Sequence, residues 1–144
     1  IEPYVRAGVL FLRESGWKPV KIECAGFHPI YQYAGCPDGV GFWPDGQPGL
    51  LDWKTGDPCD WWEIQTGAYD EMEPRLSPNG ARRRTCVQLK KNGKYETHHM
   101  KDVNAGRLFL AANAVHQWGL DHGVYKDERD KPAADAVLGA VVAA

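Results

Sequence analysis

A chain of 144 residues that is 43% hydrophobic and 25% charged, with six tryptophans, has the make-up of one folded domain and not of a disordered chain. No apolar run reaches the roughly 20 residues of a membrane span, and the amino end lacks the basic-then-apolar pattern of a signal peptide, so a cytoplasmic protein with no membrane partner is expected. The net charge of -2 speaks against a surface coated throughout with basic residues for nucleic acid.

Val5, Val9 and Leu12 fall at i, i+4 and i+7 and predict an amphipathic helix from about Pro3 to Ser15, stopped by Gly16. The next run, "PVKIECAGFHPIYQYAGCPDGVGFW", is rich in β-branched and aromatic residues and punctuated by glycine and proline, which reads as strands. The dense turn signal "PDGQPG" at Pro44 to Gly49 joins a strand at Gly39 to Trp43 to a strand at Leu50 to Lys54 as an antiparallel pair, and a loop follows through Asp57 and Pro58. From about Asp60, "DWWEIQTGAYDEM" has helical periodicity with Trp61, Gln65, Tyr69 and Met72 on one stripe, ended by Pro74.

After a basic loop, "RRRTCVQLKKNGKYETHHM" predicts a hairpin turning at Asn92 and Gly93. Asp102 then caps a helix whose apolar positions Leu108, Ala112, Val115 and Gly119 recur at helical spacing. A charged link past Gly123 leads to an alanine-rich tail at Ala133 to Ala144, flexible or started as a short helix by Pro132. The order helix, three strands, helix, two strands, helix suits a mixed α/β sandwich, as a single domain over residues 1–144.

Cys24, Cys36, Cys59 and Cys86 lie far apart with no C-x-x-C pair, which favours free thiols over a zinc or redox site. Charge is unevenly spread: Arg75, Arg82, Arg83, Arg84, Lys90, Lys91, Lys94 and Lys101 are opposed in their segment only by Glu96. Such a run is either a solvated edge or a phosphate-binding surface. His98 and His99 read as surface residues, and His116 and His122 do not share a helix face.

The chemistry concentrates at "LLDWKTG", Leu50 to Gly56. Side chains alternate along a strand, so Asp52 and Lys54 emerge on one face and Leu51 and Trp53 on the other. Asp38, in "GCPDGVG", can reach the same end of a two-stranded arrangement. Two adjacent carboxylates repel each other, so such a pair holds a cation or shares a proton, and oxygen ligands favour magnesium or manganese. The plainer alternative is that Asp38 only makes a Pro-Asp-Gly turn while Asp52 pairs with Lys54.

Pro37 and Asp38 followed by Asp52, Trp53 and Lys54 resemble the PD-(D/E)XK nuclease signature. Gln65 and Tyr69 reproduce the Q-x-x-x-Y element of its RecB-type exonuclease branch, known from phage and bacteria. The resemblance runs from about Glu23 to Tyr69. It implies a restriction-endonuclease-like α/β core, a mixed central sheet flanked by helices. It also implies a divalent-metal-dependent DNA nuclease, an exonuclease on linear or single-stranded DNA working in DNA repair or recombination, in a bacterial cell or the host cytoplasm of a phage. A junction-resolving endonuclease and a non-catalytic nucleic-acid-binding module of the same fold are the alternatives.

By the same resemblance, Asp38, Asp52 and the backbone carbonyl of Trp53 hold Mg2+ or Mn2+, with Glu23 either a further acidic ligand or an exposed strand glutamate. Lys54 orients a water or stabilises developing charge, Gln65 holds the lysine or a phosphate, and Tyr69 packs beside them or contacts the DNA strand. The metal-binding histidine that some relatives carry on an upstream helix is missing, since no histidine precedes His28. Nor are there grouped cysteines near the carboxyl end, so no iron–sulfur cluster is expected. Trp61 and Trp62 suggest a base-stacking platform, with at least one of them buried instead. Arg82, Arg83, Arg84, Lys90 and Lys91 are the expected DNA-backbone contacts.

Overall fold

The computed structural model describes residues 1–72 and 82–125. Pro74, Arg75 and the alanine-rich tail lie outside them. The chain divides into two compact units, Ile1–Ala111 and a second that starts at Ala112.

Helix α1 (Glu2–Glu14) starts with an acid and a proline in its first turn, both suited to the exposed amide end of a helix, and terminates at Ser15 before Gly16 turns away at φ 63°. Its buried residues are Ala7 and Phe11. The expected stripe of Val5, Val9 and Leu12 is instead exposed, at 58%, 42% and 44%. The face is decided by Phe11, which meets Trp43, Trp53 and Tyr95 edge-on at centroid distances of 6.4, 5.4 and 5.4 Å. Burying that ring contributes about 1.5–3 kcal/mol, and its edge-on aromatic contacts add about 0.5–1.5 kcal/mol each, which a valine cannot make.

Five strands, not three, precede the second helix: β1 (Lys18–Ile22), β2 (Gly26–His28), β3 (Tyr33–Gly35), β4 (Gly39–Phe42) and β5 (Pro48–Lys54). Pro29 and the left-handed backbone of Gln32 (φ 50°) fold β2 and β3 into a separate antiparallel pair. Helix α2 (Trp61–Met72) then leads to β6 (Arg83–Leu89), β7 (Tyr95–His99) and α3 (Ala105–Asp121). The main sheet has the order β1-β4-β5-β6-β7, antiparallel except for the parallel pair β5–β6, whose crossover carries α2. The β6–β7 turn is closed by Gly93 at φ 77°, with Lys90 N–H donating to the Lys94 carbonyl at 2.9 Å.

Register assigns the two faces. Leu51 and Trp53 lie beside Thr85 and Val87, and this side holds the core of Phe11, Trp17, Trp43, Leu51 and Val87 under α1. Leu50, Asp52 and Lys54 lie beside Arg84, Cys86 and Gln88 and face α2. Helices on both faces of a mixed five-stranded sheet make the expected α/β architecture, consistent with a restriction-endonuclease-like core.

On the α2 side, Arg84 is buried and donates to the Glu63 carbonyl at 2.9 Å, to Glu63 Oε2 and Thr66 Oγ1 at 3.3 Å, and to the Asp102 carbonyl. Tyr33 OH donates to the Ala68 carbonyl at 2.8 Å, tying β3 to the helix. Gly67 lets α2 approach the start of α3: a Cβ there would lie 2.5 Å from the Gly106 nitrogen. Of the two adjacent tryptophans, Trp62 is buried, with His98 half-buried and edge-on against it at 5.5 Å, while Trp61 is 64% exposed.

In α3 the buried positions are Ala105, Gly106 and Gly119; of the predicted stripe Gly119 is therefore buried, while Leu108, Ala112 and Val115 are exposed. Asp102 acts one turn early, its Oδ1 accepting from Asn104 N–H at 2.8 Å. In the second unit His116 stacks on Tyr125 and Trp118 on His122, at 5.4 and 4.4 Å. Among the described residues no helix is long and apolar enough to cross a membrane.

Candidate active site

The site grows from the end of β5. Leu50 and Leu51 are fully buried and anchor the strand, so the alternation that follows is fixed: Asp52 and Lys54 project toward α2. β4 begins at Gly39, opposite Leu51, and therefore offers no strand partner to Trp53. Asp38 fills that gap with its side chain, Oδ2 accepting the Trp53 N–H at 2.7 Å. Its own carbonyl accepts the Glu23 N–H at 3.0 Å, and the preceding Pro37 is fully buried. Asp38 is thus held by its backbone on one side and its carboxylate on the other. A strand residue presents N–H and C=O along the same edge, so the Trp53 carbonyl opens toward the Asp38 side as well.

Asp52 is 4% exposed and its Oδ2 is ion-paired with Lys54 Nζ. Burial pushes its carboxyl above the usual range; the neighbouring ammonium works against that rise, and Asp38 adds to it. Lys54 Nζ also donates to Gln65 Oε1 at 2.6 Å, and Gln65 Nε2 donates to Tyr69 OH at 2.8 Å. With its oxygen taken by the lysine, the Gln65 amide can meet the tyrosine only through its NH2. Gln65 and Tyr69, one helical turn apart on α2, so fix the lysine from the far side. Burial raises the Tyr69 hydroxyl above its ordinary value, chiefly opposed by the Gln65 hydrogen bond.

Two supporting residues are not evident from motifs. Gln88, opposite Lys54 in register, donates from Nε2 to the Gly56 carbonyl at 2.9 Å and holds the loop leaving the lysine. Cys86 lies opposite Asp52, and burial pushes its thiol up to about 12, with the charge of Asp52 adding to the rise. Alternation along the predicted strand Arg84–Cys86–Gln88 was the available signal.

Asp38, Asp52, Lys54, Gln65 and Tyr69 are brought together in this way. Glu23 is exposed at φ 47° and joins them through its backbone N–H. Among the described residues no three His, Cys, Asp or Glu side chains gather into a metal-ligand group, so the Glu23 carboxylate is not assembled with the two aspartates. Two carboxylates, with Asp38 near enough to raise the Asp52 carboxyl, plus one backbone carbonyl, form an all-oxygen donor set suited to a small hard dication that keeps several waters.

The basic segment does not form one exposed track. Strand alternation turns Arg84 into the α2 interface described above. Arg82 is ion-paired with Asp70, its side chain 3% exposed. On the other face, Arg83 lies 5.3 Å above Trp43 and pairs with Asp45 at 2.7 Å. Lys90 pairs with Glu96, and Lys91 is exposed at the turn.

No protein-family model and no curated protein matches the chain. Among solved structures it is similar to an alkaline exonuclease (LHK-Exo) from Laribacter hongkongensis, with 18% sequence identity and a TM-score of 0.43 over 85% of this chain and 71% of that one.

Proposed function

We propose that the chain is a divalent-metal-dependent deoxyribonuclease that hydrolyses phosphodiester bonds, acting as an exonuclease on linear or single-stranded DNA. One observation carries this reading. Two carboxylates converge at a strand end with an ammonium group clamped beside them by Asp52 and Gln65.

Asp38, Asp52 and the Trp53 carbonyl are the groups that would hold Mg2+ or Mn2+; the chemistry such an ion supplies when bound is a water of lowered pKa and positive charge against the phosphate. Lys54 has three N–H donors, of which one meets Gln65 and one faces Asp52, leaving the third to orient a water or a phosphate oxygen as negative charge develops. Gln65 and Tyr69 position that ammonium. Because burial raises the Asp52 carboxyl, the residue becomes an anionic ligand only as pH rises through its shifted value, and hydrolysis should increase over the same interval. Lys90 and Lys91, at the β6–β7 turn, are the candidates for sequence-independent phosphate contact. A place in DNA repair or recombination, in bacterial or phage-infected cytoplasm, follows from the same reading.

The test compares linear with covalently closed circular DNA in magnesium, manganese or chelator, using the intact protein and Asp52→Ala. Metal-dependent loss of linear DNA alone, abolished by Asp52→Ala, supports the exonuclease. Nicking of circles replaces it with an endonuclease. Failure to degrade either DNA in any metal, while Lys54→Ala binds DNA as the intact protein does, refutes a nuclease.

A further inference from the structure

The same helix face that clamps Lys54 also lines a cavity. Trp61, Gln65, Ala68, Tyr69 and Met72 of α2 form one wall; Tyr33 and Ala34 of β3 and Phe109 of α3 close a space of about 100 Å³. Its aromatic floor is set by Tyr33 and Phe109, whose rings meet at 4.7 Å and 63°. The polar atoms on its walls are already engaged: Tyr33 OH with the Ala68 carbonyl, and Gln65 with Lys54 and Tyr69. Gly35 keeps the walls close, since a Cβ there would stand 2.7 Å from Met72 Cε and 2.8 Å from the Tyr69 ring.

At the rim stands Trp61, exposed beside a buried Trp62. A large ring left in water next to an apolar cavity is a surface for a flat partner. An engineered apolar cavity of about 150 Å³ encloses benzene, so this smaller, open one admits the edge of a single planar ring while the rest lies against the tryptophan. Gln65 is shared between cavity and catalytic lysine, which places that ring one side chain from the reacting phosphate.

We propose that this cavity receives one unstacked nucleobase of the DNA strand whose phosphate lies against Asp38, Asp52 and Lys54, with Trp61 stacking on it at the rim. The assignment rests on the nuclease reading for the position of the phosphate. A base inside a duplex is covered on both faces and cannot enter, so the cavity selects frayed or single-stranded DNA. With its polar atoms satisfied internally, it recognises a π-face and not a base identity.

The test is binding without turnover. Fluorescence anisotropy with a labelled short oligothymidylate, in calcium and in chelator, is compared with the same strand carrying an abasic tetrahydrofuran at its 5′ or its 3′ end. Removing the base at one end should weaken binding by about five- to a hundred-fold. Trp61→Ala, a change at an exposed site, should lose the same factor on the intact strand and nothing further on the abasic one. Phe109→Ala, which removes the cavity's aromatic floor and keeps the tryptophan, should reproduce that loss. If intact and both abasic strands bind alike, or if Trp61→Ala weakens them equally, the base pocket is wrong. Should the base effect appear in a protein that cleaves no DNA, the pocket stands and the nuclease reading falls. Cleavage unaffected by the abasic ends and both variants leaves the nuclease and removes the pocket.

Discussion

Lys54→Met tests the electrostatics of the site most directly, because methionine keeps the unbranched stem and removes only the charge. It leaves the Asp52 carboxylate, 5% exposed, beside Asp38 with no cation. Removing one partner of a buried ion pair costs about 3–5 kcal/mol; with Lys54 still 16% exposed, the lower end, about 3 kcal/mol, applies here. Gln65 Oε1 also loses its 2.6 Å donor, a further loss of about 1 kcal/mol that does not depend on pH. The sum, about 4 kcal/mol, corresponds to a fall in Tm of roughly 8–16 °C for a chain of this size.

The pH dependence has a definite sign. Burial already raises the Asp52 carboxyl, and loss of the opposing ammonium raises it further. The charge penalty exists only while Asp52 is ionised, so the variant's deficit is full at alkaline pH and shrinks as pH falls through the raised folded-state value, leaving the smaller hydrogen-bond loss. Thermal unfolding of both proteins from about pH 4 to about pH 8, on either side of an elevated carboxylate, reads this out. A deficit of constant size across that range would refute the coupling of Asp52 to Lys54.

Gln65→Ala should lower kcat by about ten- to a hundred-fold with little change in KM for DNA, as expected for a positioning residue, and Tyr69→Phe by only about five-fold. Gly67→Ala should destabilise by about 1–3 kcal/mol in urea, because its Cβ would meet backbone atoms of Gly106 and Ala105 at 2.5 and 2.7 Å. Glu63→Ala should cost about 3 kcal/mol by stripping the buried Arg84 of its carboxylate partner. Disulfide-exchange reagents at neutral pH should label the exposed Cys36 and Cys59 rapidly, and Cys86, whose thiol sits at about 12, only after unfolding.

Much of the site was legible because strand alternation leaves no choice. Once Leu50 and Leu51 are buried, Asp52 and Lys54 must share the α2 face, and the i, i+4 spacing places Gln65 and Tyr69 together above them. The helix faces were less legible. α1 carries aliphatic residues on several sides, and which side turns inward depends on Phe11 fitting among Trp43, Trp53 and Tyr95, a contact made by distant segments. The separate β2–β3 pair depends on left-handed backbone at Gln32, which glutamine does not announce. The basic run misled for a different reason: counting charge along the chain ignores that β6 sends Arg84 inward and Arg83 outward.

The Asp38 side chain takes the Trp53 amide where β4 has no residue to give, so one carboxylate serves as a missing rung and, in the proposed function, also as the lip of the metal-binding cleft. Loading the cleft and stiffening the sheet terminus are therefore linked: whatever draws on the Asp38 oxygens must be felt at the Trp53 peptide, and hydrogen exchange at that single amide reports occupancy. It follows that Asp38→Ala is a poor choice of inactive protein for trapping substrate complexes, since it removes the acceptor of the Trp53 N–H along with a candidate metal ligand. Asp52→Asn leaves that rung in place.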